Sequence, residues 1–129
     1  MDDRIRRALE HGQTIDITTT GRRSGLPRRI ELVFHVFDGH VYLSGRPRPA
    51  RRSWLANLEA QPRFTFHLKG PVVADLAATA RIITDEDERR SILSRVARVW
   101  TGQDVETMVR QSPLVEVEFD RPSSSVTAA

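Results

Sequence analysis

A chain of 129 residues, 39% apolar and 29% charged, suits one domain that removes roughly two thirds of the unfolded surface from water. It has no cysteine, which excludes disulfides, thiolate catalysis and cysteine-ligated zinc. No apolar run approaches the ~18 residues of a membrane helix, and Asp2-Asp3-Arg4-Ile5-Arg6-Arg7 is no secretory signal core, so the expected compartment is the cytoplasm.

The net charge of +3 is unevenly spread. From Gly21 to Arg52 eight arginines face only Glu31 and Asp38, a local +6 that leaves −3 for the rest. Such asymmetry points to an anionic partner for one region.

In chain order, Ile5, Ala8 and Leu9 fall at helical spacing, and Gly12 is placed to end that short helix. Thr14 to Thr20 alternates, with Ile15 and Ile17 on one face, as a strand does. Gly21-Arg22-Arg23-Ser24-Gly25 then makes a turn, and Pro27 opens a second extended run. Ile30, Leu32, Phe34 and Val36 share a face of that run. Asp38-Gly39 signals a tight hairpin into His40–Ser44.

Gly45 to Ala50 holds two prolines and forms a second basic loop. A helix is expected over 50–61, with Trp54, Leu55 and Leu58 on one face and Pro62 as its stop. Arg63 to Lys69 reads as a strand burying Phe64, Phe66 and Leu68. Val72 to Thr84 reads as a long strand whose alanines 74, 77, 78 and 80 suit a curved sheet. Thr84 is placed to cap a helix whose first turn is acidic and whose apolar face carries Ile92, Leu93, Val96, Val99 and Trp100. A short helix over 104–110 and a strand over 114–119 complete the pattern. The expected class is α+β: a six-stranded antiparallel split barrel with short flanking helices over 1–120, and a small, polar tail over 121–129 expected to be disordered.

The chemistry-bearing residues exclude much. His11, His35, His40 and His67 show no metal-site spacing, and His35 and His67 are expected to face solvent or a dimer contact. No Gly-x-Ser-x-Gly elbow, Walker loop or Gly-x-Gly-x-x-Gly fingerprint occurs. An arginine-rich nucleic-acid binder is disfavoured, because Phe34, Phe64 and Phe66 are expected in the core and few aromatics remain to stack bases. Two basic loops remain, 22–28 and 46–52. If they meet, charge-assisted hydrogen bonds can hold a phosphate or carboxylates, with Trp54 as wall to a planar ring or as core anchor.

Thr18-Thr-Thr-Gly-Arg-Arg-Ser-Gly-x-Pro-Arg28, the Asp38-Gly39 hairpin, Ser44-Gly45 and Ser53-Trp54-Leu-x-Asn57-Leu58-x-x-x-Pro62 resemble the deazaflavin-dependent nitroreductase family. Its members are small split β-barrels related to pyridoxamine-phosphate-oxidase-like flavin proteins. The resemblance implies coenzyme F420, a deazaflavin with a phosphodiester and a polyglutamate tail, used to pass hydride to a quinone, enone or nitro compound. It implies that Arg22, Arg23, Ser24 and Arg28 hold the anionic tail, that Ser44, Gly45 and Arg46 contact phosphate and ring, and that Trp54 borders the pocket. It names no catalytic side chain and no metal, since the coenzyme carries the hydride chemistry. The alternative is a non-catalytic binder or carrier of F420, FMN or haem, and either protein is a monomer or a homodimer. The chain departs from the family in three places: Gly45 replaces a lysine, Glu31 and Val33 replace a proline and an aromatic, and no tyrosine occurs over 100–105.

Overall fold

Each described strand finds a hydrogen-bonded neighbour on both edges, so the sheet closes on itself. The computed structural model describes residues 1–120, in the order α1 (Asp3–Ala8), β1 (Thr14–Thr20), β2 (Pro27–Phe37), β3 (His40–Ser44), α2 (Ser53–Ala60), β4 (Arg63–Lys69), β5 (Val73–Ile82), α3 (Glu86–Val99), α4 (Val105–Gln111) and β6 (Leu114–Phe119). The closed order is β1-β2-β3-β6-β5-β4, with every pair antiparallel. Closure removes the open edges that would otherwise invite strand pairing between molecules.

Register follows from the side chains. Ile17 stands opposite Ile30 on one side and Phe66 on the other, so a one-residue slip would carry the barrel's apolar face into water. Inside, Phe66 meets Phe34 edge-on at 5.3 Å and Phe119 at 5.1 Å between ring centres, the geometry aromatic quadrupoles prefer. Asp38 and Gly39 both adopt positive φ (54° and 80°), as the tight β2–β3 hairpin requires. The alanines of β5 divide by face: Ala78 and Ala80 are buried in the barrel, whereas Ala77 points out.

A second core lies outside the barrel. There Tyr42, Ile83 and Leu114 pack against Leu93, Val96 and Met108 of α3 and α4, whereas Val99, expected on the same face, is exposed at the last residue of α3. The helix α2 instead lies against β1 and β5, and its Trp54 and Leu58 belong to the barrel core.

Several expectations change. Gly12 does not end α1, whose last turn closes at Leu9; a Cβ at Gly12 would lie 2.3 Å from the Phe34 carbonyl oxygen, so glycine is needed for close chain approach. The helix expected over 50–61 begins only at Ser53, since prolines 47 and 49 keep the preceding loop extended. The long strand ends at Ile82 rather than Thr84, and Asp85, not Thr84, caps α3 by accepting from the Glu88 amide at 2.9 Å. The tail over 121–129 falls outside the described residues.

Two histidines also move inward from where their strand faces suggested. His35 is 3% exposed, lying edge-on to Trp100 at 4.8 Å and stacked near Phe37, because α3 and its following turn cover that face of β2. His67 is 7% exposed, with its two ring nitrogens paired to Thr18 Oγ1 at 2.7 Å and Asp75 at 2.6 Å. Burial without a hydrogen-bond partner at Nε2 holds the His35 pKa below its ordinary value. The unfolded chain therefore binds the proton more readily. His35 adds stability above about pH 6.5, and this fades as pH falls through the lower folded value. Urea midpoints at pH 7.5 and 5.5 should fall less in a His35→Phe variant than in the parent chain.

Candidate functional site

Gly21 to Leu26 folds into a tight loop closed by two 2.8 Å backbone bonds, Gly21 N–H to the Leu26 carbonyl and Gly25 N–H to the Gly21 carbonyl. Gly25 has a φ of +70°, which a side chain would strain. Gly21 is buried, and a Cβ there would meet Ser24 Oγ at 2.6 Å. The Ser24 hydroxyl oxygen accepts from the Leu26 amide at 3.1 Å, which leaves its proton free to donate outward.

One buried side chain anchors this loop. Asn57 on α2 is 4% exposed; its Oδ1 accepts from the Arg22 backbone N–H at 3.1 Å and from the Arg22 guanidinium at 3.0 Å. Its Nδ2 donates to the inward-facing Thr19 hydroxyl at 3.1 Å. The Arg22 guanidinium also reaches the Ser53 carbonyl at 3.5 Å. The loop thus rests on the first turns of α2, and a cleft of about 400 Å³ opens between them. Arg22, Arg23, Ser24 and Arg28 line it on one side; Ser53, Trp54 and Asn57 line it on the other. Trp54 is 7% exposed, so it is at once a core anchor and a wall.

The second basic loop reaches α2 from its other flank. Ser44, buried at the end of β3, donates its hydroxyl to the Pro113 carbonyl at 2.8 Å. Gly45 lies under the Arg52 guanidinium, whose carbon would sit 2.9 Å from a Cβ, and Arg52 donates to the Arg46 carbonyl at 2.6 Å. Of the expected site residues, Arg22, Arg23, Ser24, Arg28 and Trp54 therefore share one cleft, while Ser44, Gly45 and Arg46 lie outside its lining.

Asn57 and Thr19 complete the cleft and were not singled out as site residues from the sequence. Asn57 carried a signal nonetheless: it is a polar side chain between Trp54 and Leu58 on the buried face of α2, and a buried amide needs partners.

Charge pairing separates the site from the scaffold. Arg63, Arg81, Arg90 and Arg95 each meet a carboxylate, and so do Arg29 and Arg51. Among the described residues Arg22, Arg23 and Arg28 meet none within ion-pair distance. Three uncompensated guanidinium groups, a free hydroxyl proton and an indole wall make a receptor for an anionic molecule that also carries a ring.

A closed antiparallel barrel with such a cleft is the architecture of a small ligand- or cofactor-binding barrel protein. The sequence profile of the F420H(2)-dependent quinone reductase family matches residues 2–120, and the chain belongs to that family. It is an F420H2-dependent reductase, an oxidoreductase whose cofactor is coenzyme F420. The deazaflavin resemblance drawn from the sequence agrees with this.

Solved structures share the fold. The conserved hypothetical protein Rv2991 of Mycobacterium tuberculosis superposes with a TM-score of 0.72 at 21% identity, over 94% of this chain and 82% of that one. A structure described as an F420-H2 dependent reductase (FDR-A) gives 0.59 at 23%, over 81% and 93%. A third, described as a domain-swapped dimer, gives 0.62 at 23%, over 90% and 95%.

Replacing Asn57 by alanine should leave the Arg22 amide and the Thr19 hydroxyl unpaired, at a cost of about 1–3 kcal/mol per buried orphan group. A fall in the urea midpoint with loss of Arg22 and Arg23 amide protection from hydrogen exchange is the expected outcome.

Proposed function

We propose that the cleft between the Gly21–Arg28 loop and α2 holds the phosphodiester and acidic tail of F420, with Trp54 bordering the ring. The observation that carries this reading is the set of three guanidinium groups without acidic partners, supported on a loop that Asn57 holds rigid. The cleft fits the group: Ser24 keeps a donor proton, and a Cβ at Gly21 would strike the Ser24 hydroxyl that lines it. Charge-assisted hydrogen bonds contribute about 1.5–3 kcal/mol each, so three approach the ~8 kcal/mol of a micromolar complex before ordering costs.

Bound F420H2 supplies the hydride. The protein's share is to bind the anionic end, orient the ring against Trp54, and leave a face open to a small electron-poor acceptor, a quinone or an enone. Ser44, Gly45 and Arg46 act indirectly in this reading: Ser44 ties β3 to the Pro113 carbonyl, and Gly45 gives Arg52 the space beside α2. The relative described as a domain-swapped dimer supports a homodimer here. The barrel works in the cytoplasm, in keeping with a cysteine-free chain in which no described helix is long and apolar enough to cross a membrane.

Arg22→Ala/Arg23→Ala should weaken F420 binding tenfold or more in a fluorescence titration, and parent affinity should fall with added salt. Unchanged affinity would remove the cleft from the assignment. Stopped-flow oxidation of F420H2 with a quinone, an enone and a nitroarene then tests turnover; binding without oxidation of any would make the protein a carrier.

A further inference from the structure

A second cationic cleft lies across α2 from the first. It has a volume of about 310 Å³ and is floored by the 48–52 loop, the end of β5 and the turn from α4 into β6. Arg48, Arg52, Arg89 and Arg110 line it, and its only carboxylate, Glu59, is already occupied by Arg51 through a 2.8 Å hydrogen bond. Among the described residues none of the four has an acidic partner within ion-pair distance.

Their surroundings make this a costly arrangement to leave uncompensated. Arg89 is half-buried and donates to the carbonyls of Ile83, Val109 and Ser112 at 2.9, 3.0 and 2.6 Å, so its charge meets only backbone dipoles. Arg52 is also half-buried. Burial and the nearby Arg48 charge lower its pKa, the mark of a cation short of a counterion. Ser112, 4% exposed, lines the same cleft with a hydroxyl that has no hydrogen-bond partner. Native chains rarely leave such a group unpaired.

The remaining wall is apolar, with Leu55, Ile83 and Val109 beside the guanidinium groups. A cationic rim on an apolar wall suits an organic acid better than a bare inorganic anion, since planar guanidinium forks match a carboxylate while the wall takes its hydrocarbon. We propose that this cleft is a carboxylate-binding subsite for a small ring-bearing or aliphatic acid, separate from the Arg22–Arg28 cleft and divided from it by α2.

The test uses benzoate as probe and benzamide, the same ring without charge, as control. Amide NMR of the full chain should give saturable shifts at Arg52, Gln111 and Ser112 with benzoate and not with benzamide. Arg48→Ala/Arg110→Ala removes two exposed cations and should weaken benzoate binding at least fivefold. Arg22→Ala/Arg23→Ala should leave it unchanged, so the two clefts fail or succeed independently. Two further arms locate the natural carboxylate. A KM raised in the Arg48/Arg110 variant for a carboxylated naphthoquinone, but not for its neutral parent, assigns it to the acceptor. Weaker binding of long-tailed F420, but not of the tail-less chromophore, assigns it to the coenzyme. Equal responses to benzoate and benzamide, or equal benzoate affinity in parent and Arg48/Arg110 variant, would overturn the proposal.

Discussion

One amide side chain holds the functional end of this molecule together. Asn57 projects from α2 into the barrel end and satisfies, at once, the inward hydroxyl of Thr19 and both nitrogen groups of Arg22. Without it, Thr19 would be a buried orphan in β1, and the glycine-bounded loop that follows would keep only the long 3.5 Å bond from Arg22 to the Ser53 carbonyl as a described side-chain tether to α2. Because Asn57 is itself buried beside Trp54 and Leu58, the same helix that seals the core also aims the arginines. Packing and site geometry thus share a single anchor.

Electrostatics divides the chain along the same line. On the scaffold, arginines are neutralised where they stand: Arg81 bridges Glu88 at 2.6 Å and Glu116 at 2.7 Å, and Arg63 grips Asp120 with both terminal nitrogens. Around α2, Arg51 apart, they are not. Exposed ion pairs contribute little to stability, so that pairing matters less for the fold than for what it leaves over. The leftover positive charge gathers on both flanks of one short helix. A reductase whose coenzyme performs the redox chemistry needs such a surface more than it needs an acid–base pair, which fits the absence of any catalytic constellation in the sequence.

Much of the architecture was legible in local pattern. The alternation of Thr14–Thr20, Arg63–Lys69 and Leu114–Phe119 located those strands to the residue, and Asp38-Gly39 located its hairpin, because a two-residue side-chain period and positive φ are written in the chain itself. Helix starts were less legible. Thr84 and Asp85 are both good caps, and the choice fell to which side chain could reach the Glu88 amide once β5 had ended. The faces of β2 misled most: His35 alternates as an outward residue does, but α3 and Trp100 cover that face from sixty residues away.

The sequence by itself determined the periodicity, the turn chemistry, the excess of arginine between Gly21 and Arg52, and the family motif, because each depends on neighbours along the chain. Only the tertiary structure decided which arginines find a carboxylate, that Asn57 joins loop to helix, and that the two basic loops flank α2 in separate clefts. Those outcomes depend on groups far apart in sequence, whose meeting is set by barrel closure and by the path α2 takes across its end.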